Sequence, residues 1–160
     1  MAWLKFNRAS GTLELHKGKA PNQSLAPVQH FKTFKSVRQD YRYMCKRENT
    51  SLIAMWPAHN NTAKKSRGAW PTGVFDYQYY KPHPEMGSAP VCYNTAYGCD
   101  GIHVFKVDSR SGMGVHSGRT NGEWDKVGGV TMGCIRVPAN AMPYINTIHS
   151  KDKLEAIVVE

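Results

Sequence analysis

The sequence predicts one mostly β domain over residues 1–160, a β sandwich or partly closed barrel that carries one or two short helices. A chain of 160 residues can build one domain with a substantial core but is short for two. Short apolar or alternating segments recur between loops rich in Gly and Pro, as they do in antiparallel sheets. No regular alternation of strands with long helices is visible, so a parallel α/β architecture is not favoured.

The first third of the sequence is predicted to form a hairpin, an irregular segment and a strand. Residues 28–47 mix aromatic side chains with cations and are interpreted as strand and loop. The segment TSLIAMW (50–56) is interpreted as a buried strand, and an exposed loop over 60–68 follows it. The hairpin is predicted because apolar residues recur at alternate positions on both sides of the turn RASG: Ala2, Leu4, Phe6, Leu13 and Leu15.

The rest of the sequence is predicted to form five further strands and one helix. Met142, Ile145 and Ile148 recur at every third position after Pro138, which predicts a short helix. The strand segments are rich in β-branched and aromatic residues, and turn residues separate them. The predicted strands cover residues 74–80, 101–107, 113–118, 129–137 and 153–160, of which the second and third form a hairpin.

Composition excludes several classes of function. The formal net charge of +9 favours an anionic partner, such as nucleic acid, a membrane surface or an acidic cell-wall polymer. The cations are scattered, and no helix-turn-helix, zinc-finger or RNA-recognition motif is present, so no nucleic-acid partner is expected. No apolar run approaches the roughly 20 residues that cross a bilayer, so no membrane span is expected.

The cysteines permit disulfides without requiring them. Cys92 and Cys99 enclose a short loop and are expected to form a local bridge in an oxidising space, or to stay as two free thiols. Together with His83 and His103 they could be imagined as a zinc site, but two cysteines with six residues between them are not a zinc knuckle, so no metal is expected. The four cysteines are Cys45, Cys92, Cys99 and Cys134.

Cys134 is the strongest candidate for a catalytic group. Gly133 before it gives a substrate room to approach and leaves neighbouring amides available to a developing oxyanion. A nucleophilic cysteine also needs a base or cation beside it, and His116 lies eighteen residues earlier, at the end of a predicted strand. If 113–116 and 130–137 are neighbouring strands joined by a glycine-rich loop, the imidazole and the thiol meet at the same end of the sheet.

The segments HSG (116–118) and TMGCIRV (131–137) resemble the catalytic domain of the L,D-transpeptidases of the YkuD type. That family's signature is a His, about sixteen variable residues, and then Ser/Thr-His-Gly-Cys, commonly followed by Ile/Val-Arg. WPTGVF (70–75) is similar to a strand upstream of the signature, and Met132 stands where the family has its second His. The matching residues are His116, Ser117, Thr131, Gly133, Cys134, Ile135 and Arg136.

The resemblance implies acyl transfer on the peptide stems of peptidoglycan, with no cofactor. Cys134 would attack the carbonyl carbon of the third residue of a tetrapeptide stem, with His116 as base and then as acid. The terminal D-alanine would leave, and a thioester would remain on the enzyme. The amides of Gly133 and Cys134 would hold the oxyanion.

The resemblance also implies supporting roles and leaves the outcome of the reaction open. Ser117 would position His116. Thr131 and Arg136 would bind substrate, with a purely structural role as the alternative for Arg136. An amine of a second stem would give a 3-3 cross-link, a free D-amino acid would give exchange, and water would give L,D-carboxypeptidase trimming.

Two other classes of function stay open. One is a different peptidoglycan cysteine hydrolase, an endopeptidase or amidase of the NlpC/P60 kind. Those enzymes place the cysteine before the histidine and at the start of a helix, whereas here His116 precedes Cys134. The other is a non-catalytic wall-binding module in which Cys134 is an inert core residue.

The expected substrate places the activity in the periplasm or cell wall, yet the N-terminus has no apolar secretory signal. Two explanations stay open. The protein is exported by a signal-free route, as a toxin-like effector with an immunity protein as a further partner would be, or the sequence is trimmed. We expect the enzyme to act as a monomer.

Overall fold

The computed structural model describes residues 1–21, 51–60, 62, 66–82, 92, 95–118 and 131–160. The described residues are mostly β with one α-helix, which confirms the predicted fold class. The helix has 11 residues, and no helix in the described ranges is long and apolar enough to cross a bilayer. The elements are β1 (Ala2–Asn7), β2 (Thr12–Lys17), β3 (Leu52–Pro57), β4 (Gly73–Lys81), β5 (Ile102–Phe105), β6 (Gly114–His116), β7 (Ile135–Arg136), α1 (Ala141–Lys151) and β8 (Leu154–Val159).

The strands form one sheet in the order β3-β2-β1-β8-β4-β5-β6-β7, which curls strongly into a half-barrel. Its two outer strands approach each other where the chain leaves β3. There the backbones of His59 and Arg136 exchange two hydrogen bonds, with N–O distances of 2.9 and 3.1 Å. Pairing at this point covers part of both sheet edges and places the segment after β3 beside β7.

Most predicted elements are confirmed. β1 and β2 form the N-terminal hairpin, and β5 and β6 form the second hairpin. The C-terminal strand β8 lies in the middle of the sheet, parallel to β1 and antiparallel to β4. The predicted irregular segment 28–47 lies outside the described residues.

Two strand predictions need correction. The strand at 50–56 was expected to be buried, but β3 is an outer strand of the sheet and only its Ala54 is buried. Residues 129–130 of the strand predicted at 129–137 lie outside the described residues, and over 131–137 the strand reduces to Ile135–Arg136, because Gly133 has a φ of 127°, which interrupts the extended backbone. Before Gly133, Thr131 forms an isolated bridge with Thr62.

The helix α1 packs on the core face of the sheet. Met142 and Ile145 are buried in the core and Ile148 packs against it, as their spacing predicts. His103 of β5 is fully buried, with its Nε2 2.7 Å from Oδ1 of Asn146 on the helix. Burial is the main cause that lowers the pKa of His103 to about 4, so this histidine is neutral in the folded protein at neutral pH.

Acid is expected to destabilise the fold as the pH falls from 6.5 to about 4. In this window the unfolded chain protonates His103 and the folded chain does not, so stability is complete above pH 6.5 and decreases below it. The gap between the two pKa values corresponds to roughly 3 kcal/mol. Urea unfolding at several pH values should show this loss in the wild type and a much smaller one in His103→Gln. Equal losses in the two proteins would contradict the assignment.

Candidate active site

Strands β6 and β7 bring His116 and Cys134 to one cavity. The two strands pair in parallel, with Val115 opposite Ile135 and His116 opposite Arg136. Residues two apart share a face of a sheet, so Cys134 lies on the face of His116, and their Cα atoms are roughly 8 Å apart on an ideal ladder. Both residues line a cavity of about 400 Å³. Val115 and Ile135, on the opposite face, belong to the core.

The Cys134 side chain is a free, buried thiol. It packs against Ile102 and Val104 of β5, and its Sγ donates a hydrogen bond to the backbone oxygen of Gly112 at 3.5 Å. Burial raises the pKa of the thiol, an effect that the backbone N–H of Gly114 partly offsets. The resting thiol therefore keeps its proton at neutral pH, and a base has to remove this proton during a reaction.

His116 is held by backbone and by an aromatic ring. The backbone N–H of Gly118 donates to its Nδ1 at 3.3 Å, so the neutral ring carries its proton on Nε2 in this arrangement. The ring of Tyr97 packs against the imidazole edge-on, with the centroids 5.7 Å apart. Tyr97 also packs against the apolar cluster around Cys134, so one aromatic side chain borders both groups.

The Ser117 side chain does not contribute to holding the ring in this structure. Its hydroxyl is buried and has no hydrogen-bond partner among the described residues. It lies so close to Gly98 that a Cβ on that glycine would be 2.5 Å from the hydroxyl oxygen. The backbone N–H of Gly118, and not the Ser117 hydroxyl, makes the hydrogen bond that positions the ring.

A disulfide-closed loop supports the histidine segment. Cys92 and Cys99 are bonded, which settles the alternative left open by their spacing. Inside the loop, the Thr95 hydroxyl donates to the Cys92 oxygen at 2.7 Å and accepts from the Gly98 N–H at 3.1 Å. The loop carbonyls lie against Gly118, where a Cβ would come within 2.3 Å of the Thr95 oxygen. The bridge thus fixes the surface on which the chain after His116 rests.

The geometry gives no support to the zinc site imagined from sequence. Both of its cysteines are used in the disulfide, and His103 lies on the core face of the sheet, away from the cavity of Cys134. His83 and Cys45 fall outside the described residues. Among the residues that are described, no three metal-ligating side chains form a group.

The turn before Cys134 is built by Thr131. Its hydroxyl accepts a hydrogen bond from the Gly133 N–H at 3.1 Å and donates one to the Cys134 oxygen at 2.8 Å. Gly133 is required by its positive φ and because a Cβ there would lie 3.0 Å from the terminal methyl carbon of Met113. The Gly133 N–H, expected to hold an oxyanion, is therefore engaged inside the turn, while Thr131 borders the cavity.

Asn60 is a site residue that sequence reasoning missed. Its Nδ2 donates to the backbone oxygens of Gly133 at 2.6 Å and Cys134 at 2.8 Å, and its Oδ1 accepts from the Trp70 N–H at 2.7 Å. Because C=O and N–H point to opposite sides of a trans peptide, the Cys134 N–H points away from Asn60. No motif marks this asparagine, since the half-barrel closure at His59 brings it to the site.

Arg136 is fully buried and lines the same cavity as His116 and Cys134. Its guanidinium donates to the backbone oxygen of Gly118, which ties β7 to the residue that holds the imidazole. This bond supports the structural role that was the alternative for Arg136. A contact of Arg136 with substrate stays a prediction.

Comparison with known proteins gives a fold relative. No family model matches the sequence, and no curated protein matches it. Among solved structures, the chain is similar to Bd1075 of Bdellovibrio bacteriovorus, with a TM-score of 0.56 and 14% sequence identity. The match covers 99% of this chain and 47% of Bd1075, so the chain spans about half the length of that protein. At this identity the similarity concerns the fold alone.

Proposed function

We propose that the protein is a cysteine acyltransferase of the L,D-transpeptidase type that acts on peptidoglycan stem peptides. The observation that carries the proposal is the common cavity of His116 and Cys134, which two parallel strands bring together from the two halves of the motif. The sequence resemblance supplies the substrate class. The net charge of +9 is compatible with an acidic wall polymer.

The first half of the reaction forms a thioester. The unprotonated nitrogen of His116 is Nδ1, which exchanges its long hydrogen bond with Gly118 for the thiol proton. The sulfur of Cys134 then attacks the carbonyl carbon of the third stem residue, and the carbonyl π electrons move to oxygen. When the tetrahedral intermediate collapses, the C–N bond breaks and the imidazolium protonates the departing amine of D-alanine.

The developing oxyanion needs a donor that is not already engaged. The Cys134 N–H fits this role, since Asn60 orients its peptide from the other side and the Gly133 N–H is bonded to Thr131. Loss of one such donor typically lowers the rate by roughly 10²- to 10³-fold. Correct placement of one peptide plane is therefore a major part of the catalytic geometry.

The second half of the reaction releases the acyl group. An amine or a water molecule gives a proton to His116 and attacks the thioester carbon, after which the C–S bond breaks and Cys134 recovers its proton. A stem amine yields a cross-link, a free D-amino acid yields exchange, and water yields a shortened stem. The Cys92–Cys99 disulfide favours an oxidising compartment for this chemistry, such as the periplasm.

Acid-quenched incubation with tetrapeptide muropeptides tests the proposal. Digestion and mass spectrometry should find the acyl group on the Cys134 peptide, together with free D-alanine. A tripeptide muropeptide lacks the leaving group and serves as the control that gives no adduct. Free D-alanine without an adduct on Cys134, or no turnover of any tetrapeptide, would refute the mechanism. The latter outcome, with retained wall binding, would favour the non-catalytic module.

A further inference from the structure

A second, larger cavity adjoins the thiol cavity. It has a volume of about 710 Å³ and shares three wall residues with the first, namely Ser111, Gly112 and Met132. The Cys134 thiol donates its hydrogen bond to the oxygen of Gly112, which belongs to both walls. The nucleophile therefore lies at the junction of the two cavities.

The larger cavity is basic. Arg67, Lys106 and Arg110 line it, and no Asp or Glu is among the described residues of its wall. Arg110 is fixed by hydrogen bonds of 3.0 Å to the oxygens of Gly68 and Ala69, and Arg67 donates to the oxygen of Ser109. These bonds join the two loops that form the cavity and fix the positions of two of the three cations, which favours binding of a carboxylate.

The wall also offers apolar surface. Met132 and Tyr79 are 60% and 44% exposed, and both line this cavity. Methionine and tyrosine side chains can pack against the apolar parts of a bound peptide, while the neighbouring cations pair with its carboxylates. Met132, which replaces the second His of the signature that this sequence resembles, thus lies where the two cavities meet.

The direction of the reaction assigns the two cavities to two parts of the substrate. His116 has to protonate the departing amine, so the leaving group lies in the cavity that His116 lines. The acyl part of the donor extends from the other side of the sulfur. That direction leads past Gly112 into the basic cavity.

We propose that the basic cavity binds the part of the donor stem peptide that is transferred to Cys134 and that carries carboxylates. Arg67 and Lys106 would pair with these carboxylates, and Arg110 would hold the wall of the cavity in place. This inference rests on the proposed function, because it assigns the acyl side from the role of His116. It adds a specificity: donors with free side-chain carboxylates are preferred over amidated ones.

The kinetic test compares two tetrapeptide donors, one with its side-chain carboxylates free and one with them amidated, in the wild type and in Arg67→Glu/Lys106→Glu. For the free donor the variant should raise KM at least tenfold, with a much smaller change in kcat. For the amidated donor KM should stay within about twofold. The matched control is Lys151→Glu/Lys153→Glu, which changes the net charge equally and lines neither cavity. Equal KM changes in the two double variants would overturn the inference while leaving the proposed function intact.

A binding measurement separates the two proposals further. Calorimetric titration of Cys134→Ala with the tripeptide stem should show binding that Arg67→Glu/Lys106→Glu weakens at least tenfold and Lys151→Glu/Lys153→Glu does not. Unchanged affinity in the first double variant would overturn the cavity assignment. If the wild type forms no acyl adduct with either donor, the proposed function fails, whereas selective tripeptide binding would still support an anionic peptide site.

Discussion

Cys134→Ala is expected to lower the rate of D-alanine release from tetrapeptide stems by about 10⁵-fold, because no thioester can form without the sulfur. The loss should appear in kcat, since the peptide still finds both cavities. Mass spectrometry of released D-alanine under single-turnover conditions measures the effect. A folded variant that keeps one tenth of the wild-type rate would place the nucleophile elsewhere.

The variant should fold normally, which makes the result interpretable. Cys134 packs with only a small cluster around Ile102 and Val104, so removing the sulfur costs about 1 kcal/mol. Cys134→Ser keeps the shape but replaces the thiol by a poorer nucleophile, and it should fall to a similar rate. Thermal unfolding followed by circular dichroism should place all three proteins within a few degrees of one another.

Asn60→Asp is expected to lower kcat by roughly 10²- to 10³-fold with KM nearly unchanged. Asn60 donates to the oxygens of Gly133 and Cys134, and a carboxylate at this position would face both oxygens with negative charge. The peptide between these residues would turn, and the Cys134 N–H would leave the direction that the proposed oxyanion role requires. Steady-state kinetics on tetrapeptide stems measure the split between kcat and KM.

Asn60→Ala should show the same kinetic defect together with a stability loss of about 1–3 kcal/mol, because two carbonyls and the Trp70 N–H lose their partner. Asn7→Ala is the matched control, since it removes an asparagine far from the motif residues, which donates to Glu160 after β8 and accepts from the Ser10 N–H. That control is expected to lower the unfolding temperature slightly and to keep the full kcat. A normal kcat in Asn60→Asp would contradict the role assigned to this side chain.

The fold was predictable where the pattern of side chains is local. Alternation marked β1 and β2, and the three-residue spacing of Met142 and Ile145 marked α1. The short length of β7 could not be predicted, because only the backbone angle of Gly133 shows that the apolar segment does not stay extended. The outer position and partial burial of β3 could not be predicted either, since an apolar strand at the edge of a sheet has the same composition as a fully buried one.

The candidate site was predictable only in its motif residues. His116 and Cys134 carry a recognisable spacing and come to one cavity. Asn60 carries none, because its place depends on the pairing of His59 with Arg136 across the closed side of the sheet. The resemblance implied that Ser117 positions His116, but the side chains of neighbouring residues in a strand point to opposite faces, and it is Gly118 that donates to the ring.

The protonated Cys134 thiol is suited to surroundings that oxidise other cysteines. Hydrogen peroxide reacts with thiolates far faster than with thiols, so a cysteine that keeps its proton at rest survives longer as a usable sulfur. A disulfide such as Cys92–Cys99 is typical of oxidising surroundings. Under the proposed mechanism, the same polypeptide would hold one cysteine pair oxidised and keep the sulfur of Cys134 reduced until a substrate binds.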